Sequence, residues 1–229
     1  MLSVIIPTRN AAPTLVATLA ALVPAVVDGI VREVILVDGK STDETRAIAD
    51  AAGARFLETA PGRGRQLAAG ASAARHEWLL FIHADTVLEA GWQDEVASFV
   101  DGIGEGRRDD VAASFGFALD DTGLRPRMLE TVVNLRSRIM SLPYGDQGLL
   151  LSRPLYEEIG GFKPMPLFED VDIIRRIGRR RLLILRTRAI TSAVRYRSGY
   201  VARVARNLRC LLLYYAGVSP ERLEKIYNA

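Results

Sequence analysis

Cysteine is almost missing from this 229-residue chain: Cys210 stands alone, so no internal disulfide can form, and a reducing compartment suits it. Lysine is nearly as scarce, with 3 residues against 27 arginines. Long apolar runs are lacking as well. Stretches such as Leu211 to Ala216 fall far short of the ~20 residues that span a bilayer. The opening Met1-Leu2-Ser3-Val4-Ile5-Ile6-Pro7 has no basic region and no cleavage site, so it is not read as a signal peptide. These absences predict a cytoplasmic protein, with contact at the inner membrane face left open. No repeat or low-complexity tract breaks the chain, and one domain over residues 1–229 is expected.

What is present is ordinary in bulk and uneven in detail. Apolar residues make up 49% and charged ones 25%, as in globular proteins generally. The net charge of +3 hides an asymmetry: Ile173 to Arg209 holds 12 arginines and no acid, while the remainder holds 18 basic and 27 acidic residues. Such a segment suits a diphosphate, a nucleic acid or an anionic membrane, or else a solvated helix face. No zinc spacing and no RNA-recognition aromatic pair accompanies it, so no nucleic-acid partner is expected.

Short apolar runs alternate with helical patterns. Leu2–Ile6, Val34–Val37, Ala54–Leu57 and Trp78–Ile82 read as strands, with helices over about Pro13–Val23, around Thr45–Ala49 and up to Ala74. Ser41 or Thr42 is placed to cap the second helix, and Gly62 to Gln66 reads as a loop. This alternation predicts an α/β fold with a mostly parallel, Rossmann-like sheet flanked by helices. Asp38 and Asp85 end strands, the edge where such sheets bind ligands. About residues 1–110 would form a nucleotide-binding half, with Asp101–Asp110 an exposed turn.

About residues 111–229 would form the acceptor half. Val111–Leu119, Gly148–Leu151 and Leu182–Leu185 are expected strands. Pro126–Met140 is an expected helix with Leu129, Val132, Val133 and Leu135 on one side. Another helix opens at Phe168-Glu169-Asp170-Val171-Asp172. The last, Val201–Tyr215, has an apolar side of Leu208, Leu211, Leu212 and Tyr215 with Arg203, Arg206 and Arg209 interspersed. That helix would pack on its own domain, make a homodimer or touch an anionic membrane.

Several side chains suit phosphate and proton chemistry, each with a plainer role beside it. Asp85 after an apolar strand suits Mg²⁺ or Mn²⁺, which take oxygen ligands and bridge phosphates, although an aspartate there more often caps a helix. His83 beside it is equally readable as a hydrogen-bonded structural residue. Asp38 suits a ribose hydroxyl or base N–H, or a cap. Arg65 suits a diphosphate through its planar fork, or is surface charge. Glu169 and Asp170 complement a helix dipole. They also follow the apolar Met165-Pro166-Leu167-Phe168, where partial burial would raise a carboxyl pKa toward general-base work.

The order and spacing of these segments add what none carries alone. Ser3 to Asn10, then Val37-Asp38-Gly39-Lys40-Ser41-Thr42-Asp43, then His83-Ala84-Asp85, then Glu169-Asp170-Val171-Asp172 closely resemble the family-2 glycosyltransferases of GT-A type, over about residues 2–195. Gly64-Arg65-Gln66, Tyr144 to Gly148 and Gly160-Gly161-Phe162 are most similar to its short members described as associated with radical-SAM and selenodomain proteins. The resemblance implies an inverting transfer from a nucleotide-diphosphate sugar to an unknown acceptor with a divalent metal, Mn²⁺ or Mg²⁺. It implies that Pro7, Thr8 and Arg9 line the base, Asp38 holds base or ribose, and Arg65 approaches the nucleotide or diphosphate. His83 and Ala84 would lie at the nucleotide-sugar and Asp85 would bind the metal. Asp146 and Gln147 would border sugar and acceptor, Asp170 would be the catalytic base supported by Glu169, and Arg195 would close over the diphosphate.

The sequence departs from that pattern twice. Gly39 stands where a second aspartate often reads uracil, and His83 where the first aspartate of Asp-x-Asp stands; both weaken the case for a UDP sugar specifically. A nucleotidyltransferase would want a glycine-rich loop after the first strand, and Pro7-Thr8-Arg9-Asn10 has no glycine.

Overall fold

The computed structural model describes residues 1–106, 111–196 and 199–228, with the backbone alone at 195–196, 200–203 and 228. The first half runs β1 (Leu2–Thr8), α1 (Ala12–Ala20), α2 (Val23–Val27), β2 (Val31–Asp38), α3 (Thr45–Ala51), β3 (Arg55–Glu58), α4 (Arg63–Ala73) and β4 (Trp78–Phe81). β1 is apolar on both faces because both are covered: Val4 and Ile6 enter one core and Ile5 the other. β2 and β4 divide in the same way, with Leu36 and Leu80 on one side and Val37 and Leu79 on the other. These strands lie parallel in the order β3-β2-β1-β4. The order reverses at β1, which opens a crevice at the strand C-termini between β1 and β4.

The second half adds β5 (Thr86–Leu88), α5 (Trp92–Gly104), β6 (Ala112–Leu119), α6 (Leu124–Met140), β7 (Leu149–Ser152) and α7 (Arg153–Glu158). α8 (Glu169–Ile177), β8 (Leu182–Thr191), α9 (Tyr200–Tyr215) and α10 (Pro220–Asn228) complete it. All eight strands form one sheet, β3-β2-β1-β4-β7-β6-β8-β5. β7 runs antiparallel to β4 and β6, and β5 antiparallel to β8, while β6 and β8 pair in parallel. α1, α2, α3 and α5 cover one face through Leu15, Ala25, Ala49 and Trp92. The other is covered by α4, α8 and α9 through Leu67, Ile174 and Leu211.

Several expectations need correction. Gly62 to Gln66 is not a loop: α4 begins at Arg63, which sends Arg65 to solvent and buries Gln66. Neither Ser41 nor Thr42 caps α3; Asp43 does the work, its carboxylate accepting from Thr45 N at 3.1 Å and from Ala12 N at 3.0 Å. Asp101 to Gly104 continues α5 rather than turning, while 107–110 lie outside the described residues. On α6 only Leu129 and Val133 pack inward, against Phe117 and Leu119, whereas Val132 and Leu135 face solvent. On α9 the inward side is Cys210, Leu211 and Tyr214, and Leu208, Leu212 and Tyr215 are exposed. Among the described residues no helix is long and apolar enough to cross a membrane.

Candidate active site

The crevice at the end of β1 and β2 is held by a buried amide. Gln66, 5% exposed, donates from Nε2 to the carbonyls of Thr8 at 2.8 Å and Val37 at 2.7 Å, tying the two strand ends together. Gly39 fits beneath it; a Cβ at that position would stand 3.2 Å from the same Nε2. Asp38 is 3% exposed, and its carboxylate accepts from Thr8 Oγ1 at 2.9 Å, Ser41 N at 2.7 Å and Ser41 Oγ at 2.5 Å. In this arrangement Asp38 shapes the loop after β2 and does not line the cleft. Pro7, Thr8 and Arg9 do line it, with Arg65, His83, Ala84 and Asp85, in an open space of about 980 Å³.

β4 delivers His83 and Asp85 to the same edge, with His83 Nδ1 4.0 Å from Asp85 Oδ1. The backbone at Asp85 is pinned from the far strand, Ser192 N donating to its carbonyl at 3.2 Å. Facing them is the start of α8. Phe168 precedes it with φ 65°, a left-handed conformation that a bulky residue adopts only when its surroundings enforce it. Its ring lies 5.1 Å from that of Tyr214 on α9. The turn it makes brings Glu169 and Asp170 toward the cleft. Asp170 Oδ2 accepts from Gly145 N at 2.8 Å and Oδ1 from Val171 N at 2.7 Å, so the carboxylate is fixed by backbone donors. Gly145 lets these groups approach closely: a Cβ there would lie 2.8 Å from His83 Nε2 and 3.3 Å from Asp170 Oδ2, so those side chains would have to shift.

A smaller recess of about 130 Å³ joins these groups, and Asp85, Asp146, Glu169 and Asp170 all line it with Arg63. Asp146 Oδ1 is buried without a hydrogen-bond partner. Burial, with the charges of Asp170 and Asp85 adding and Arg136 opposing, pushes its pKa up to about 6. Burial and then the Asp170 charge push Glu169 up to about 7, against the pull of Arg63, whose Nη1 stands 3.6 Å from Glu169 Oε1. Burial disfavours the charge of Arg63 itself, but Glu169, Asp170 and Asp85 more than offset it and raise its pKa.

Two expected residues stand elsewhere. Gln147 is fully buried and points into the fold: its Nε2 donates to Phe115 O at 2.9 Å and its Oε1 accepts from Ser137 Oγ at 2.8 Å. Gln147 therefore ties β6 to α6, its side chain turned into the fold. The backbone of Arg195 lies in a short turn, Ala193–Tyr196, and its side chain falls outside the described residues. Sequence reasoning passed over Arg63, and over Asn207 and Tyr227 of the C-terminal helices, which wall the recess. Two positions separate Arg63 from Arg65, about 200° around a helix, and only the true start of α4 tells which faces inward.

Among the described residues no three histidine, cysteine or acidic side chains form a metal cage. One carboxylate, that of Asp85 at the open edge, fits Mg²⁺ or Mn²⁺ all the same, because such ions commonly take one or two carboxylates and complete their shell with substrate phosphates and water.

A family model described as glycosyl transferase family 2 matches residues 3–168. The PGL/p-HBAD biosynthesis glycosyltransferase of Mycobacterium bovis is 39% identical over 114 residues, covering 44% of this chain and 41% of that protein. The matched region thus spans about two fifths of that relative's length. The mannosyltransferase PcManGT from Pyrobaculum calidifontis, solved in complex with GDP-Man and Mn²⁺, superposes with a TM-score of 0.68 at 22% identity, over 99% of this chain and 68% of that one. Glucosyl-3-phosphoglycerate synthase from Mycobacterium tuberculosis, in complex with Mn²⁺, UDP and glucosyl-3-phosphoglycerate, gives 0.57 at 24% identity, over 84% and 70%. At these identities the two solved structures speak to the fold.

Proposed function

The chain belongs to glycosyl transferase family 2, and from that membership and the geometry above we propose that it moves a sugar from a nucleotide-diphosphate donor to an acceptor with inversion at the anomeric carbon. The observation that carries this reading is the meeting of Asp85 and Asp170, from opposite halves of the chain, on one recess at the C-terminal edge of the parallel strands. The nucleotide lies over Pro7, Thr8 and Arg9, in the half that runs to about residue 110. Asp85 holds the divalent ion, which when bound neutralises charge on the leaving diphosphate. Arg63 is the cation set among the carboxylates, and Arg65, on the outer rim, meets the donor only from solvent.

Asp170 takes the acceptor proton. The acceptor oxygen then bonds to the anomeric carbon from the face opposite the diphosphate, and the bond to the diphosphate oxygen breaks with its electron pair leaving on that oxygen. A single displacement of this kind inverts the centre. The hydrogen bonds from Gly145 N and Val171 N hold Asp170 in one orientation. Glu169, nearly buried and drawn to Arg63, tunes its neighbour. Asp146, with an unpaired buried oxygen on the same recess, is the group offered to a hydroxyl of sugar or acceptor.

The test is nucleotide binding by calorimetry with UDP, GDP, dTDP and CDP, each with and without Mn²⁺. Binding of at least one that strengthens with Mn²⁺ is expected. No binding of any nucleotide in either condition overturns the reading.

A further inference from the structure

A helix on a protein surface normally buries its apolar side and shows its polar side to water. α6 is arranged the other way. Its inward side is made by Pro126, Glu130 and Ser137, with Leu129 and Val133 against Phe117 and Leu119. Its outward side carries Leu124, Met128, Val132, Leu135 and Ile139, each 56–83% exposed. At 100° per residue these five fall within about 80° of one another around the axis, a continuous apolar stripe pointing away from the domain. Exposed contiguous apolar surface of this kind marks an interaction site.

The edges of the stripe are cationic. Arg125 flanks it on one side and Arg127 and Arg138 on the other, all exposed. The helix has one carboxylate, Glu130, which is 7% exposed and spent on Arg127 and on Leu119 N. Arg179 adds charge at the end of the helix, where its guanidinium donates to Ile139 O. α9 repeats the pattern: Val204, Leu208, Leu212 and Tyr215 are exposed at helical spacing, Arg206 and Arg209 are exposed beside them, and the helix contains no acid. On α6 the Arg136 guanidinium lies 3.8 Å over the ring of Tyr144. Tyr144 lines the candidate recess.

We propose that the apolar stripe of α6, with that of α9, docks on an anionic lipid bilayer, lying in the headgroup region beside the mouth of the candidate active site. Charge selects this occupant. A second copy of the chain would set the same arginines against one another with no exposed carboxylate on either helix to answer them. An anionic bilayer answers both parts, taking the apolar side chains into its acyl boundary and the guanidinium groups at its phosphates. Neither helix is long and apolar enough to cross a membrane, which fits a helix that lies in the interface. The inference stands on this surface alone and does not depend on the transferase reading.

The experiment is vesicle sedimentation of the full chain, using phosphatidylcholine alone and phosphatidylcholine with about one third phosphatidylglycerol. Binding to the anionic vesicles, absent with the neutral ones and weakened by salt, is expected. The variant Leu124→Ser, Met128→Ser, Val132→Ser, Leu135→Ser should lose about tenfold or more in partitioning, as should Arg125→Gln with Arg138→Gln. Circular dichroism and nucleotide affinity check that each variant is folded, and the arginine pair keeps the test intact if the fourfold variant is not. The proposal fails if the chain binds neither vesicle, binds both alike, or keeps its binding in the folded variants. It also fails if sedimentation equilibrium finds a dimer that the fourfold variant abolishes, because a second copy then covers the stripe.

Discussion

Arg63 on α4 and Glu169 on α8 form an ion pair across the cleft floor, Nη1 to Oε1 at 3.6 Å, although 106 positions separate them. Two features make it possible. Gly64 lets α4 press on the segment before α8, where a Cβ would overlap the Lys163 carbonyl oxygen, and the left-handed Phe168 turns Glu169 inward.

The pair has a pH signature. Glu169 titrates near 4.5 when unfolded and at about 7 in the fold, chiefly through burial, so between those values the folded chain holds more protons than the unfolded one. Its contribution to stability therefore falls as pH rises from about 4.5 to about 7, by at most about 3 kcal/mol. Glu169→Gln should flatten that decline in thermal melts across the window. An unchanged slope would show that the carboxyl is ionised throughout.

Asp170→Asn keeps shape and hydrogen-bonding capacity while removing the proton acceptor. kcat at saturating donor should drop by roughly 10²–10⁴ with the donor Kd held, and Glu169→Gln should cost less. Near-normal turnover in Asp170→Asn with a dead Glu169→Gln would exchange the two roles. Normal turnover in both would move the search to Asp146.

Asp85→Ala should abolish the gain in nucleotide affinity that Mn²⁺ brings, with the melting temperature of the nucleotide-free protein little changed. The side chain stands at the cleft edge and carries little of the core. Calorimetry with and without Mn²⁺ reads the difference; equal enhancement in variant and parent would remove Asp85 as the metal ligand.

Gly39 and Gln66 bear on the base. With no carboxylate at 39, discrimination between UDP and GDP should fall far below the roughly 10⁴–10⁵ reached by sites built around a paired polar group. Gly39→Asp should displace the Gln66 amide and loosen the β1–β2 clamp, seen as a lower melting temperature. Exclusive binding of UDP by the parent would contradict this and shift base reading to Arg9 or to backbone groups.

Gly64→Ala tests the close approach that sets the site. It should cost about 1–3 kcal/mol by denaturant unfolding, and weaken nucleotide binding by moving Glu169 and Asp170. Parent-like stability would mean that the Lys163 segment yields without strain.

The parallel strands and their closing aspartates were legible in the chain because strands covered on both faces must be apolar throughout and must end where polarity returns. β1, β2 and β4 follow that rule; Asp38 closes β2, whereas Asp85 stands four residues past the end of β4, in the turn before β5. The acidic opening of α8 was legible too, since carboxylates gather where a helix leaves N–H groups unpaired. Asp38 and Gln147 show where this ends: residue type and position suggested contact with ligand, and both side chains instead bond within the fold, to Ser41 and Thr8 and to Ser137 and Phe115.

What remained hidden was phase. Periodicity tells which side chains share one side of a helix, but a side acquires a direction only from what it packs against. The inward turn of Arg63 rather than Arg65 depends on where α4 starts, which Gly64 and the distant Lys163 segment settle together. The α6 stripe is as periodic as any core face, yet β6 takes the opposite side and leaves it to the solvent, because Glu130 and Asn134 bind the strand's backbone at Leu119 and Phe117. Local chemistry along the chain is enough to form the strands and helix ends; their mutual orientation is a property of contacts between residues that the linear order keeps far apart.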